Sequence, residues 1–208
     1  VTGTAEDVIA AFARTAGDVA AARRIARQYG DLDPAERSAL LWSEDPGARS
    51  VAVVLLVQAA RDRADPDLTD EYLSALRAER LDDPLLVDIA AEQLVGVPLL
   101  GGSTGPLFAL AKSDVALVRR AAVVATLAFV KQGDADVALA VVGRLVRERG
   151  DTVQSALGWV LRETGKRASE PGLVAFLERQ GRFLGRSALE TATEHLPPAE
   201  RDRLRTPR

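Results

Sequence analysis

Cysteine is absent from this chain, which excludes disulfides, thiolate zinc sites and cysteine nucleophiles. Histidine is almost absent, and a lone His195 argues against a histidine metal cluster or a Ser-His-Asp triad. Long apolar runs are missing too. The longest aliphatic stretch, Val51 to Val57, falls far short of the roughly 20 residues needed to cross a bilayer. The first residues lack the basic-then-apolar pattern of a secretory signal. Alternating strand-like runs are not found, and no low-complexity linker divides the chain. Chemistry is left to carboxylates, arginines, hydroxyls and a few aromatics. The expectation is a single cytoplasmic domain over residues 1–208 that needs no metal and no cofactor.

What the chain does have is enough apolar content, 47% of 208 residues, to bury a substantial core. Its net charge of −3 conceals an asymmetry. Residues 1–111 hold 10 Lys and Arg against 18 Asp and Glu, whereas residues 112–208 hold 17 against 12. A basic second half suits a polyanion, and an acidic first half repels the same partner. Arginine supplies 24 of the 27 basic residues, a bias that genomic base composition produces as readily as function does.

Apolar residues recur at spacings of three and four almost throughout, with Gly30, Gly133, Gly150, Gly165 and Gly181 marking stops. The predicted class is all-α. The pattern places helices at about 4–14, 17–29, 34–43, 46–62, 69–80, 84–96, 104–112, 114–131, 134–149, 151–166, 171–180 and 186–195. Asp-Pro occurs at 33–34, 45–46, 65–66 and 83–84. The carboxylate caps free amides while proline fits the first helical position, so three of these pairs are expected to open helices. The pair at 65–66 is assigned to a turn.

Several helices carry related patterns. The segment Ala48-Arg49-Ser50-Val51-Ala52-Val53-Val54-Leu55 is similar to the one that starts at Arg119-Arg120-Ala121-Ala122. A spacing near 40 residues fits a curved α-solenoid of HEAT-like helical hairpins, with a globular helical bundle as the alternative. In the solenoid register, Arg49, Asp88, Arg120 and Trp159 follow at steps of 39, 32 and 39 on the second helices of hairpins.

The stretch Gln154 to Glu163 sets Trp159 and Arg162 three residues apart, on one helical face. An indole beside a guanidinium can stack on a sugar or base while gripping a phosphate. An amphipathic helix with one buried Trp and one surface Arg makes the same pattern. Taken with Leu41-Trp42-Ser43 before Ala48-Arg49, and with Ser113-Asp114 leading to Val118-Arg119-Arg120-Ala121-Ala122, Ala156 to Glu163 resembles the AlkD-like DNA alkylation repair family. Leu184-Gly185-Arg186-Ser187-Ala188-Leu189 is similar to that family's closing loop and helix, and the similarity runs from about 40 to 195.

The resemblance implies HEAT-like repeats that wrap a duplex in a concave face and release N3- or N7-alkylated purines. It implies a nucleoid-associated monomer whose partner is duplex DNA with alkylated bases, with no membrane and no metal involved. By motif, the family's catalytic aspartate falls on Asp88, its arginine on Arg120 and its second tryptophan on Trp159. Arg162 is implied as a phosphate contact. The family's first tryptophan is missing, because Pro84 stands four residues before Asp88. The family's amino-terminal region also looks abbreviated.

Each assignment has a plainer counterpart. Asp88 also reads as a solvated or Arg-paired helix residue, Arg120 as half of an interhelical salt bridge and Trp159 as core. Arg49, Arg182 and Arg186 are candidate DNA contacts that read equally as solvated arginines, and Arg119 reads as a surface residue. Trp42, after two leucines, is expected in the core. Gly101-Gly102-Ser103-Thr104-Gly105 lacks the preceding strand and Lys-Ser/Thr ending of a P-loop, so it reads as a connector. His195 reads as a cap or surface residue. The functional alternatives are a non-catalytic family member that binds DNA or a protein through the same surface, and a helical scaffold with no nucleic-acid role.

Overall fold

The computed structural model describes residues 3–15, 17–62 and 65–206. Helices dominate it, and no strand occurs among the described residues. The chain divides into two compact units, Val1–Leu94 and Val95–Arg208.

The first unit contains α1 (Ala5–Phe12), α2 (Val19–Gln28), α3 (Pro34–Leu41), α4 (Pro46–Asp62), α5 (Pro66–Arg77) and α6 (Pro84–Ala91). Its centre is α4, which packs on α1, α2, α3, α5 and α6. That position explains the chain's longest aliphatic run. Val51 to Val57 are all buried, so α4 is apolar around most of its circumference rather than along one stripe.

All four Asp-Pro pairs start helices, and this includes the pair at 65–66 expected in a turn. The Asp65 carboxylate accepts from the Asp67 amide at 3.1 Å and Pro66 takes the first helical position, so α5 begins three residues earlier than its apolar pattern suggests. Asp33, Asp45 and Asp83 accept from Ala35, Ala48 and Leu85 amides at 2.8, 2.9 and 2.8 Å. Each such cap contributes about 1 kcal/mol.

After α6 the backbone widens into a π-turn at Glu92–Gly96 and tightens into a 3₁₀ turn at Val97–Leu99. The second unit continues with α7 (Gly105–Leu110), α8 (Ala116–Ala125), α9 (Leu127–Lys131), α10 (Asp136–Leu145) and α11 (Asp151–Arg167). It closes with α12 (Glu170–Gln180), a 3₁₀ turn at Gly181–Phe183, α13 (Arg186–Thr193) and α14 (Pro198–Arg205). The central helix is α11, packed on α8, α9, α10, α12 and α13. A Cβ on Gly158 would sit 2.7 Å from the Ala188 carbonyl oxygen, so the missing side chain lets α13 cross α11 at backbone contact. The continuous helix expected over 114–131 breaks at Thr126, whose hydroxyl turns back to the Val123 carbonyl at 2.6 Å.

In each unit an arginine ties the loop before a long helix to that helix. Arg49 donates from Nη1 to the Ser43 and Glu44 carbonyls at 2.9 and 3.0 Å, and Nη2 lies 3.6 Å from Asp82. Arg119 donates from Nη1 to the Ser113 and Asp114 carbonyls at 2.8 Å each, and its Nε meets Glu148 at 2.8 Å. Gln154 repeats part of the pattern, donating to the Glu148 carbonyl at 2.6 Å. Arg49 therefore matches Arg119, not Arg120, which shifts the register expected from the sequence by one residue.

Candidate nucleic-acid interface

Counting from its N-cap aligns the candidate residues on their helices. Asp88 is the fifth residue after Asp83, Arg120 the fifth after Val115, and Trp159 the ninth after Gly150. Positions five and nine are one turn apart and share a face. Arg49 sits at position four after Asp45, rotated by about 100° from that face.

Asp88 belongs to the first unit and is half-buried on α6. Burial pushes the fully buried Tyr72 phenol up from its ordinary value, and the Asp88 charge adds to that shift. The Tyr72 hydroxyl has no hydrogen-bond partner among the described residues. Sequence reading missed this tyrosine, because nothing in the α5 pattern distinguishes it from other core residues. Pro84 opens α6 beneath the Asp83 cap, and Leu85 beside it is 46% exposed. The place four residues before Asp88 therefore serves helix initiation and presents no aromatic face.

Arg120 and Trp159 belong to the second unit. Arg120 is only 6% exposed, and its Nη1 donates to the Thr152 carbonyl and, at 2.8 Å, to the Ser155 hydroxyl. The first turn of α11 thus orients the guanidinium. Trp159 lies one turn beyond Ser155 on that helix and is half-buried, so it is not a core residue. The close crossing at Gly158 holds its backbone against α13. Trp42, by contrast, is 43% exposed where the sequence suggested core. It is the C-cap of α3, where the backbone leaves helical geometry and turns the side chain off the Leu40-Leu41 stripe.

The outlying arginines fall into distinct settings. Arg49 is 7% exposed and committed to loop carbonyls. Arg162 is half-buried and donates to Glu163 and Glu194 at 3.1 and 2.8 Å. Burial alone would raise the Glu163 carboxyl, yet hydrogen bonds and charge from Arg167 and Arg162 hold it below the usual range. Arg119 is no simple surface residue: its partner Glu148 is likewise pushed up by burial and pulled further down by the Arg149 and Gly150 amides and by Arg119. Arg186 is 93% exposed and reaches Glu190 one turn on. Arg182 is exposed and lies 4.8 Å from the centre of the Phe183 ring, which Arg147 also approaches at 3.7 Å. This shared aromatic platform was invisible in the sequence, since Arg147 and Phe183 are far apart along the chain.

His195 is half-buried against Gly165, not a cap, and neither ring nitrogen has a hydrogen-bond partner among the described residues. Burial is the main cause that lowers its pKa. Gly101 to Gly105 form a turn into α7, with Gly101 in the left-handed region at φ 73°. Among the described residues, no group of three His, Asp or Glu is placed to hold a metal. No helix among them is long and apolar enough to cross a membrane.

Comparison with known families matches residues 16–196 to the family described as DNA alkylation repair enzyme. No curated protein matched the chain, and no solved structure did.

Proposed function

The chain belongs to the DNA alkylation repair enzyme family, and from that premise we propose that it hydrolyses the N-glycosidic bond of N3- or N7-alkylated purines in duplex DNA. The observation that carries the reading is that Asp88 and Arg120 hold the same position relative to the caps of their own helices, with Trp159 one turn further along its helix and not buried in the core. In this reading the hairpins form a curved HEAT-like solenoid and the duplex lies along its concave face.

An alkylated purine is cationic and a good leaving group. When the bond between C1′ and N9 breaks, its electron pair moves to the purine and neutralises it, leaving an oxocarbenium-like sugar. The Asp88 carboxylate stabilises that charge and orients the water that adds to C1′ and loses its proton. Arg120, pre-oriented by Thr152 and Ser155, offers fixed donors to a backbone phosphate. Trp159 supplies a π face for deoxyribose and for the cationic base.

One observation favours a second reading. Pro84 stands where the resemblance calls for a tryptophan and is built into the start of α6, so half of the aromatic cradle is missing. That suits a non-catalytic member which binds DNA without base release. Release of free base from duplex DNA containing N7-methylguanine separates the two. Wild-type release that falls about 100-fold or more in Asp88→Asn, with duplex affinity retained, is the expected result. No release from a preparation that binds duplex establishes the non-catalytic reading.

A further inference from the structure

The first unit is acidic as a whole, yet it contains a cleft lined by arginine. The cleft measures about 390 Å³ and opens between α2, α4 and α6. Arg23, Arg27 and Arg61 line it, together with Gln58 and an apolar surface of Val54, Val57 and Ile89. No carboxylate lines this cleft among the described residues. Asp31 and Asp62 border an adjoining cleft of about 340 Å³ that shares Arg27, Gln58 and Arg61. None of the three arginines makes an ion pair among the described residues, and all three are exposed.

Three arginines without an ion pair give this cleft a positive local field that favours an anion, and Asp31 and Asp62 offset it only from the adjoining side. Guanidinium groups present fixed donors that match phosphate oxygens. The cleft is larger than one phosphate, and its apolar wall matches a sugar between two charged groups. Arg23 and Arg27 are the fifth and ninth residues after the Asp18 cap of α2, the same helical positions that Asp88, Arg120 and Trp159 hold on theirs. Ile89, part of the apolar wall, adjoins Asp88 in the chain.

We propose that this cleft binds two consecutive phosphates of one DNA strand, with the intervening deoxyribose against Val54, Val57 and Ile89. The proposal rests on the duplex-DNA reading of the family site and adds an anchor to it. It assigns the phosphate grip of the first unit to Arg23, Arg27 and Arg61, and it makes that unit a DNA-binding element despite its net charge.

The test is duplex affinity measured against salt concentration for wild type, for Arg23→Gln/Arg27→Gln/Arg61→Gln, and for a control, Arg14→Gln/Arg24→Gln/Arg77→Gln. The control removes three exposed arginines of the same unit that lie outside the cleft. Loss of two phosphate contacts predicts a log–log salt slope shallower by about 1.8 in the cleft variant, so that raising salt from 50 to 200 mM weakens wild type about 12-fold more than the variant. The control is expected to keep most of the wild-type slope. Duplexes carrying single methylphosphonates give a second readout: two neighbouring neutral positions weaken wild type and leave the cleft variant unchanged. A slope equal to wild type in the cleft variant, or an equal loss in the control, overturns the cleft while leaving the DNA reading in place. No duplex binding by wild type at low salt sinks both. Binding without base release sinks only the glycosylase reading.

Discussion

Residues 1–94 hold 10 basic against 18 acidic side chains, whereas residues 95–208 hold 17 against 12. Charge alone points to the second unit as the side that meets a polyanion. Both units divide their arginines between carboxylates and other settings, and in the second Arg144, Arg147 and Arg182 lie over phenylalanine rings. In the second unit Arg119, Arg162, Arg167, Arg186 and Arg203 are each held by at least one carboxylate. In the first, Arg37, Arg49 and Arg80 are paired, but Arg23, Arg27 and Arg61 line a cleft with no carboxylate among its described lining residues, and Asp31 and Asp62 border the adjoining one. A segment's net charge counts cations, whereas binding depends on which of them already have partners. Five of the first unit's 18 acids are spent on structure: Asp18, Asp33, Asp45, Asp65 and Asp83 accept from amides at helix starts.

The largest effect expected from breaking this comparison is the loss of base release in Asp88→Asn, about 100-fold or more, followed by the change of salt slope in the cleft variant. Next come the loop-tying arginines. Arg49→Ala and Arg119→Ala each remove two hydrogen bonds to loop carbonyls and one ion pair, so each is expected to lower unfolding free energy by about 2–3 kcal/mol. Urea titration checks this. A loss in only one of the two would show that the shared geometry does not carry equal weight in the two units.

Gly158→Ala is expected to destabilise by about 1–3 kcal/mol, because its Cβ would fall 2.9 Å from the Ala188 Cα and 2.7 Å from its carbonyl oxygen, and backbone cannot step aside as a side chain can. The thermal midpoint reads this out, and quenching of Trp159 fluorescence by iodide reports whether the neighbouring indole shifts. A stable Gly158→Ala protein with an unchanged indole would show that α11 and α13 have slack at their crossing.

The smallest expected effect is the pH dependence from His195. Burial lowers its pKa below the ordinary 6.5, with Lys166 and Arg162 acting in the same direction and Glu170 and Glu194 opposing. Below pH 6.5 the unfolded chain takes up the proton first. Stability from the neutral ring is therefore complete above 6.5 and declines as the pH falls toward the lower folded value. Urea unfolding at pH 7.5 and 5.5 is expected to show this decline in wild type and a weaker one in His195→Gln.

Much of the fold was legible because it is local. The span of α4, 46–62, follows from Asp45-Pro46 and an unbroken apolar pattern, and the structure places it there. Expectations failed where a distant contact or a single backbone angle decides. Trp42 follows the apolar stripe in sequence, but α3 ends one residue before it. The α14 helix was missed because Pro197-Pro198 reads as an ending, whereas Pro198 takes the first helical position. The break at Thr126 depends on a hydroxyl returning to its own helix, an outcome that apolar spacing does not encode.

Of the candidate site, the order and spacing of Asp88, Arg120 and Trp159 were legible in the sequence, because the distance from a cap sets a residue's position on its own helix. So was membership of the family, whose match covers residues 16–196. The state of each charged group was decided only by tertiary structure. Whether an arginine is held by a carbonyl, as Arg49 is, by carboxylates, as Arg162 is, or turned into a cleft, as Arg23 and Arg61 are, depends on residues brought near by packing. Hydrogen bonds and ion pairs act over a few ångströms, and it is the folded chain that determines which partners lie within that reach.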